Sequence, residues 1–484
     1  MMEQSRVRWQ NHRQKTIDLH KLHYLNYAEG HQNSAPADYD ALERELPNIF
    51  TAMDQTDSQR QWDLVPRYIW ALFDVLIIRG YWNVLRSRLL LALRAAQAVE
   101  DLLALTGFKQ NLAILEQSMG KYDNAWELCS ECLTTFKKFE DGAGIAATKH
   151  QMGNLLFLQG NYTEAEKLYQ QCLRVFEEIG DEQGVAKTLH QLGLLARTHG
   201  DYIEAKQLYN RSLSIKEKAK DQSATSATLQ ELGVLAYLKG DYAEARRLYE
   251  RSLTIAKAIG DKKGVADVLL QLGWIAHITG ETSKAHDLYK HCLNVNRELN
   301  APIGIAQALH HLGMLAYSNE QYEEARSLYQ DSLRISEVIR NKKGVADTLQ
   351  ELATLLYTLG QHVEAKELCE RGLTLKRELG DQSGIANALS FLGILADTVE
   401  EDKRQAEALY QESITIFREL DEIVMESEVL LNLAILYEEQ GRFPESVPVL
   451  EQCVAVFESV DHPDTNRASR MLENARKYLR TPSH

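Results

Sequence analysis

The stretch ELGVLAYLKGDYAEARRLYERSL, Glu231 to Leu253, decides the fold. Gly240-Asp241 divides it into two segments of helical periodicity. Leu232, Gly233 and Leu235 mark one apolar stripe, and Tyr242, Ala245, Leu248, Tyr249 and Leu253 mark the other. Glycine tolerates the left-handed conformation that stops a helix, and aspartate accepts from the free N–H groups that open the next one. Helix, turn, helix is the reading. The stretch holds no nucleophile, metal cluster or phosphate loop.

The same pattern recurs every 40 residues. Glycine stands at Gly80, Gly120, Gly160, Gly200, Gly240, Gly280 and Gly360, with Glu320 in the remaining place. Seven residues before each lies a small residue: Ala113, Gly153, Gly193, Gly233, Gly273, Gly313 and Ala353. Five residues after comes Ala125, Ala165, Ala205, Ala245, Ala285, Ala325 and Ala365. One residue is inserted near VEEDKRQAEALY, and the register resumes at Ala406, Ala434 and Ser446. A lone hairpin buries too little surface to be stable, so neighbours must stack into one continuous core. The expectation is an all-α, right-handed α-solenoid. It comprises a helical N-terminal cap over 1–105, nine repeats over 106–460 and a capping helix with a tail over 461–484.

Composition narrows the function. The chain of 484 residues carries 54 Lys and Arg against 69 Asp and Glu, a net charge of −15. Nucleic-acid binding needs a dense basic surface, so it is not expected. No apolar run approaches the roughly 18 residues that span a bilayer, so no membrane is expected. The basic start lacks the apolar core of a signal peptide, which makes a cytoplasmic location the default.

The Leu-Gly, Gly-Asp-Tyr, Ala and Tyr signature resembles the tetratricopeptide repeat in its 40-residue form. The variant is similar to the repeats of kinesin light chains and of spindle-orientation scaffold proteins. In front of the array, HKLHYLNYAEG, YDALERELPNIFTAMD and RYIWALFDVLIIRGYWNVLRSRLLLAL resemble the helical stretch that precedes the repeats of bacterial STAND-type signalling ATPases. There Phe73, Gly80, Trp82, Leu85 and Ala92 keep the repeat's register. Pro47 departs from the acidic residue of that pattern and is expected to kink or start a helix. That resemblance implies a sensor array with a partner ATPase. No G-x-x-x-x-G-K-[ST] phosphate loop is present, so ATP hydrolysis is not assigned to this chain.

Catalytic and metal readings find little support. Cys129 and Cys132 form a C-x-x-C, yet Cys172, Cys292 and Cys453 share the slot of Cys132, and Cys369 shares that of Cys129. All six cysteines read as core filler. His310-His311, with His277 one repeat earlier, lack the spacing of a zinc site. Carboxylate pairs such as Glu323-Glu324 and Glu400-Glu401-Asp402 read as solvated faces near turns. No enzyme activity, cofactor or metal is expected.

What remains is a surface. In the tetratricopeptide family the first helix of each repeat lines a concave groove. The resemblance implies groove positions three before, two before, one after and four after the small residue. The first column reads His150, His190, Gln230, Leu270, His310, Gln350 and Ser390. The second reads Gln151, Gln191, Glu231, Gln271, His311, Glu351 and Phe391. The third reads Asn154, Leu194, Val234, Trp274, Met314, Thr354 and Ile394. The fourth reads Phe157, Arg197, Tyr237, His277, Tyr317, Tyr357 and Asp397.

Amides and imidazoles donate and accept, so they can satisfy the backbone of an extended peptide, and the aromatic rings supply contact area. Such positions are expected to face the groove rather than the core. Lys187 and Arg197 are the groove cations, too few for a clamp on a terminal carboxylate. The competing reading is that the columns reflect only duplication of one ancestral repeat. The expected function is a non-catalytic scaffold for a protein or peptide partner in bacterial signalling or complex assembly. The alternative is a ligand-sensing regulatory array of a STAND-type ATPase.

Overall fold

The computed structural model describes residues 2–32, 36–399, 402–460 and 462–480. Glu400, Glu401 and the tail at 481–484 lie outside the described residues. Over the described residues the secondary structure is helical throughout, and the chain forms two compact units, Met1–Leu299 and Asn300–His484.

The first unit begins with α1 (Met2–Gly30), α2 (Pro36–Ser58), α3 (Val65–Ile78) and α4 (Trp82–Ala98). Five hairpins follow: α5 (Leu102–Ser118) with α6 (Tyr122–Lys138), then α7 (Gly142–Leu158) with α8 (Tyr162–Ile179). The others are α9 (Glu182–Thr198) with α10 (Tyr202–Lys218), α11 (Gln222–Leu238) with α12 (Tyr242–Ile259), and α13 (Lys262–Ile278) with α14 (Thr282–Glu298).

The second unit opens with α15 (Pro302–Ser318) and α16 (Tyr322–Val338), then α17 (Lys342–Thr358) and α18 (His362–Leu379). It continues with α19 (Gln382–Thr398) and α20 (Lys403–Glu419), α21 (Ile423–Glu439) and α22 (Phe443–Val460), and closes on α23 (Thr465–Arg480). Within each unit the two helices of a hairpin pack on one another and the second helix packs on the first helix of the next hairpin.

The turns follow from their residues. Gly240 takes φ +75°, and the Asp241 carboxylate accepts from the Glu244 N–H at 3.0 Å, capping α12. Glu320, at the place where the other repeats carry glycine, adopts the same left-handed region at φ +60°. That geometry is costly for a residue with a Cβ, so the hairpin's packing imposes it.

The small residue of each first helix has a defined partner. A Cβ added at Gly233 would stand 2.5 Å from Tyr249 Cε1, and one at Gly273 would stand 2.5 Å from Tyr289 Cε1. The tyrosine ring of the second helix packs against the glycine of the first. Ala113 and Ala353 occur where the facing residue is Cys129 or Cys369, which needs less room. Glycine goes with tyrosine and alanine with cysteine, a steric exchange made inside one chain.

A second rule explains the other cysteines. Ser212 donates to the Ala186 carbonyl at 2.7 Å and Ser332 to the Ala306 carbonyl at 2.8 Å, each spanning 26 residues. Cys172 and Cys453 occupy the same slot and reach the carbonyls of Ala146 and Ser427 at 3.2 and 3.4 Å. All six cysteines are buried. Burial pushes the thiols of Cys129 and Cys132 up to about 12, far from the lowered range of a reactive thiolate.

Pro47 lies in the interior of α2 and does not start it, and Pro448 likewise lies inside α22. In the first unit the α3–α4 turn meets the α12–α13 turn. Arg79 donates to the Gly260 carbonyl at 3.3 Å while its guanidinium pairs with Asp40 at 2.5 Å and Glu43 at 3.4 Å. The Lys263 ammonium stands 5.6 Å from the Trp82 ring centroid beside it. Among the described residues no helix is long and apolar enough to cross a membrane.

Candidate functional site

First helices of neighbouring hairpins touch directly, α5 with α7, α7 with α9, α9 with α11 and α11 with α13 in the first unit. In the second unit α15 touches α17 and α19 touches α21. Their shared face is the inner one.

Side chains of the first, second and fourth columns meet across neighbouring first helices. His150, Gln151, Asn154 and Phe157 on α7 are half-buried, as are His190, Gln191 and Arg197 on α9. The same holds for Gln230, Glu231 and Tyr237 on α11 and for Gln271, Trp274 and His277 on α13. In the second unit His310, His311, Met314 and Tyr317 on α15, and Gln350, Glu351 and Tyr357 on α17, are half-buried too. None of these side chains is fully covered, and none stands free on the outer surface.

The first column does more than face the groove. Its side chains reach a threonine on the next first helix: Gln110 donates to Thr148 at 2.8 Å. His190 Nδ1 lies 3.3 Å from the Thr228 hydroxyl and His310 Nδ1 3.4 Å from that of Thr348. The rings of His150, His190 and His310 also pack on Tyr169, Tyr209 and Tyr329 at 5.5, 5.5 and 5.8 Å. Desolvation holds these imidazoles neutral, lowering His150 and His310 to about 4 and His190 to about 3. These side chains thus combine partial exposure with contacts to neighbouring helices. They are structural rungs with one edge in the groove.

A second ladder joins the fourth column of one repeat to the second column of the next. Gln151 donates to Gln117 Oε1, Arg197 pairs with Glu231 at 3.3 Å, and the rings of Tyr357 and Phe391 meet at 5.8 Å. Arg197 is thus no free groove cation. Burial raises the Glu231 carboxyl, with Arg197 and the Tyr209 hydroxyl opposing that shift. Along the outer rim, Phe157 meets Tyr162 at 5.4 Å, Tyr237 meets Tyr242 at 5.9 Å and Tyr317 meets Tyr322 at 5.8 Å.

Two kinds of residue went unnamed in the sequence reading. One is the rest of a fifth inner column, six before the small residue, in which Lys187 was already named as a groove cation and which also holds Asp267 and Asp347. Spacing of three, four and seven residues puts it on the face of the other four, a signal available from periodicity. Asp267 is exposed, yet desolvation by the surrounding protein raises its carboxyl. The other is a pair of buried lysines beneath the floor. Lys216 on α10 donates to Thr228 at 2.8 Å, and Lys376 on α18 reaches Gln350 Oε1 at 3.5 Å. Among the described residues no three His, Cys, Asp or Glu side chains converge as a metal site.

Tetratricopeptide-repeat models match residues 144–218, 224–298, 304–378, 345–419 and 428–464. The chain belongs to the tetratricopeptide-repeat family. A model of anaphase-promoting complex subunit 5 also matches residues 23–159 of this repeat protein. No curated protein matches its sequence.

Among solved structures, a signal transduction ATPase with numerous domains (STAND) from Pyrococcus horikoshii carries a tetratricopeptide repeat sensor. It aligns with a TM-score of 0.53 at 17% identity, over 76% of this chain and 54% of that one. The array thus spans about half the length of that protein. The apo quorum sensor NprR from B. thuringiensis aligns with a TM-score of 0.53 at 14% identity, over 79% of this chain and 99% of that one. A Rap protein complexed with Competence and Sporulation Factor gives 0.51 at 14%, over 77% and 98%. At these identities the likeness is one of fold.

Proposed function

We propose that this tetratricopeptide array is a non-catalytic scaffold that binds a protein or peptide segment along its inner face, in signalling or complex assembly. The observation that carries the reading is the uniform half-burial of the four inner columns, with amide, imidazole and aromatic edges turned to one side. Half-buried rings such as Tyr237 and Trp274 offer large contact area at small entropic cost. The Rap protein of like fold was solved with Competence and Sporulation Factor bound, which supports a ligand for such an array here.

The test is affinity capture from the native host with the full chain and with Tyr237→Ala/Trp274→Ala/Tyr317→Ala. Thermal melts of both proteins check that the variant is folded. The expected result is loss of specific partners from the folded variant. Identical partner sets would overturn the groove reading.

A second reading has its own observation. The N-terminal helices resemble the stretch that introduces the repeats of STAND ATPases, and the Pyrococcus relative carries its repeats as a sensor. In that reading the array regulates an ATPase module. Recovery of a nucleotide-hydrolysing partner through residues 1–105, insensitive to the groove substitutions, would favour it.

A further inference from the structure

The inner faces of the two units differ in charge. Five inner positions on each first helix, the four columns and the one six residues before the small residue, can be compared directly. In the first unit, α5, α7, α9, α11 and α13 place Lys187 and Arg197 against Glu231 and Asp267, a balance. In the second, α15, α17, α19 and α21 place Asp347, Glu351, Asp397, Glu428 and Glu438 there, with no Lys or Arg at all.

These carboxylates are not ordinary solvated surface. Desolvation raises the carboxyls of Asp347, Glu351 and Glu438, so each sits where its charge is poorly hydrated. The counter-charges around them come from neighbouring elements. Lys376 from α18 and Lys343 draw on Asp347, and Lys376 draws also on Glu351. Lys403 stands 3.4 Å from Asp397 but is shared with Glu439, and His462 stands 3.2 Å from Glu428. The face stays acidic after they are counted.

An independent observation lies at its floor. In the first unit two of the tyrosine hydroxyls beneath the inner face are hydrogen-bonded: Tyr169 donates to Asn154 Oδ1 at 2.8 Å and Tyr209 to Glu231 Oε2 at 3.3 Å. In the second, Tyr329 is 1% exposed, and its hydroxyl has no hydrogen-bond partner among the described residues. Met314 stands where α7 has Asn154, so the acceptor that Tyr169 uses has no counterpart on α15. Glu351 and Tyr317, both on the inner face, act on the Tyr329 hydroxyl electrostatically. A buried polar group left unpaired costs on the order of 1–3 kcal/mol, which a donor arriving in the groove would recover.

We infer that the inner face of the second unit binds an extended cationic peptide, its Lys or Arg side chains received by Asp347 and Glu351 beside the Tyr329 hydroxyl. This rests on the groove reading proposed above and adds the sign of the ligand. Tyr317, Tyr357 and Phe391 supply ring faces on which an alkylammonium or guanidinium group rests favourably. The carboxylates continuing along α19 and α21 give the peptide a direction in which to run.

The probes are three fluorescein-labelled Ser/Gly-rich peptides of equal length, carrying lysines, glutamines or glutamates at the same positions. Anisotropy on the full chain is expected to show binding of the lysine peptide alone, weakening as salt rises. Asp347→Asn/Glu351→Gln is expected to weaken it about tenfold, near 1.4 kcal/mol. Tyr329→Phe, a volume-preserving change, is expected to weaken it about threefold. Glu364→Gln/Glu367→Gln, on the exposed side of α18, is expected to change nothing.

Equal weakening by the inner and the α18 pairs would reduce the effect to diffuse attraction by an acidic chain and overturn the inference. Binding of the glutamine or glutamate peptide as tightly as the lysine one, lost in Tyr317→Ala/Tyr357→Ala, would overturn the charge while leaving the groove reading intact. Absence of binding by all three would overturn the cationic inference, and the capture experiment decides the groove reading separately.

Discussion

Arg79, on the α3–α4 turn, donates a hydrogen bond to the carbonyl of Gly260, on the α12–α13 turn, across 181 residues of sequence. Within the first unit this joins the cap to the fourth hairpin that follows it. Glycine suits position 260 on two counts, although Glu140, Lys220 and Arg340 take the same left-handed region at the equivalent step. Its φ is +66°, and an added Cβ would collide with the Arg79 guanidinium. Gly180 offers the control, with φ +72° and nothing near an added Cβ. Gly180→Ala is expected to cost about 1–2 kcal/mol from the backbone alone. Gly260→Ala should cost more by about 1 kcal/mol and loosen the cap. Urea midpoints measure the first effect, and small-angle scattering shows the second as a larger radius in Gly260→Ala only. Equal losses and radii would mean the clasp holds nothing.

The packing of Tyr249 on Gly233 predicts a coupled pair. Gly233→Ala alone forces the ring aside and is expected to cost about 1–3 kcal/mol. Tyr249→Cys alone leaves a cavity and is expected to cost at least about 3 kcal/mol. Together they recreate the Ala353–Cys369 arrangement that the chain already uses. The double variant should therefore be more stable than the sum of the single changes allows, by about 1 kcal/mol or more. Denaturation of all four proteins closes the cycle, and strict additivity would reject the steric account.

Period, turns and inner face were legible because each is fixed by contacts within one hairpin or to its neighbour. Gly240 and Ala245 state their roles in a single repeat and recur along the array, while Asp241 is matched at its step by Asp201 and Asp402. The exchange of Gly233–Tyr249 for Ala353–Cys369 was also written in the chain, as two columns varying together. The Arg79–Gly260 contact was not. Neither residue departs from its local pattern, and a join over so many residues has no periodic signature. The rungs from His190 to Thr228 escaped notice for another reason. A column's face follows from helical phase, but whether a groove-facing imidazole is also tied to the next helix depends on how closely the hairpins approach. Lys216 was hidden similarly, since a lysine in a charged run looks like solvated surface until its neighbour covers it.

The half-buried histidines predict a pH dependence with a definite sign. His150 and His310 are lowered to about 4 and His190 to about 3, whereas in the unfolded chain they titrate near 6.5. Between those limits the unfolded state binds more protons, so stability rises with pH and is lost as pH falls below about 6.5. At pH 5 each histidine is expected to cost on the order of 1 kcal/mol relative to pH 7. The raised carboxyls of Glu231 and Glu351 act in the opposite sense, their contribution falling as pH rises. His150→Gln/His190→Gln/His310→Gln isolates the imidazoles, because glutamine already fills this column at Gln230 and Gln350. Urea midpoints at both pH values should show a flatter slope in the triple variant. An unchanged slope would place the acid sensitivity elsewhere.

Lys216 makes the corresponding prediction on the alkaline side. Its ammonium is buried, donates to Thr228 and lies near Asp221, and desolvation lowers it to about 8 from an ordinary 10.5. The equivalent slot holds Phe136 and Phe176 in the two preceding hairpins, so an apolar side chain suits it. Between about pH 8 and 10.5 the unfolded chain keeps the proton that the folded chain has released, and stability rises with pH. Below that window the folded protein carries a poorly hydrated charge. Lys216→Met removes it at nearly constant volume and is expected to stabilise the chain at pH 7 by about 1–2 kcal/mol. The gain over wild type should shrink by pH 9, where the wild-type amine is already neutral. A variant less stable than wild type at pH 7 would show that the Lys216–Thr228 bond outweighs the cost of burying the charge.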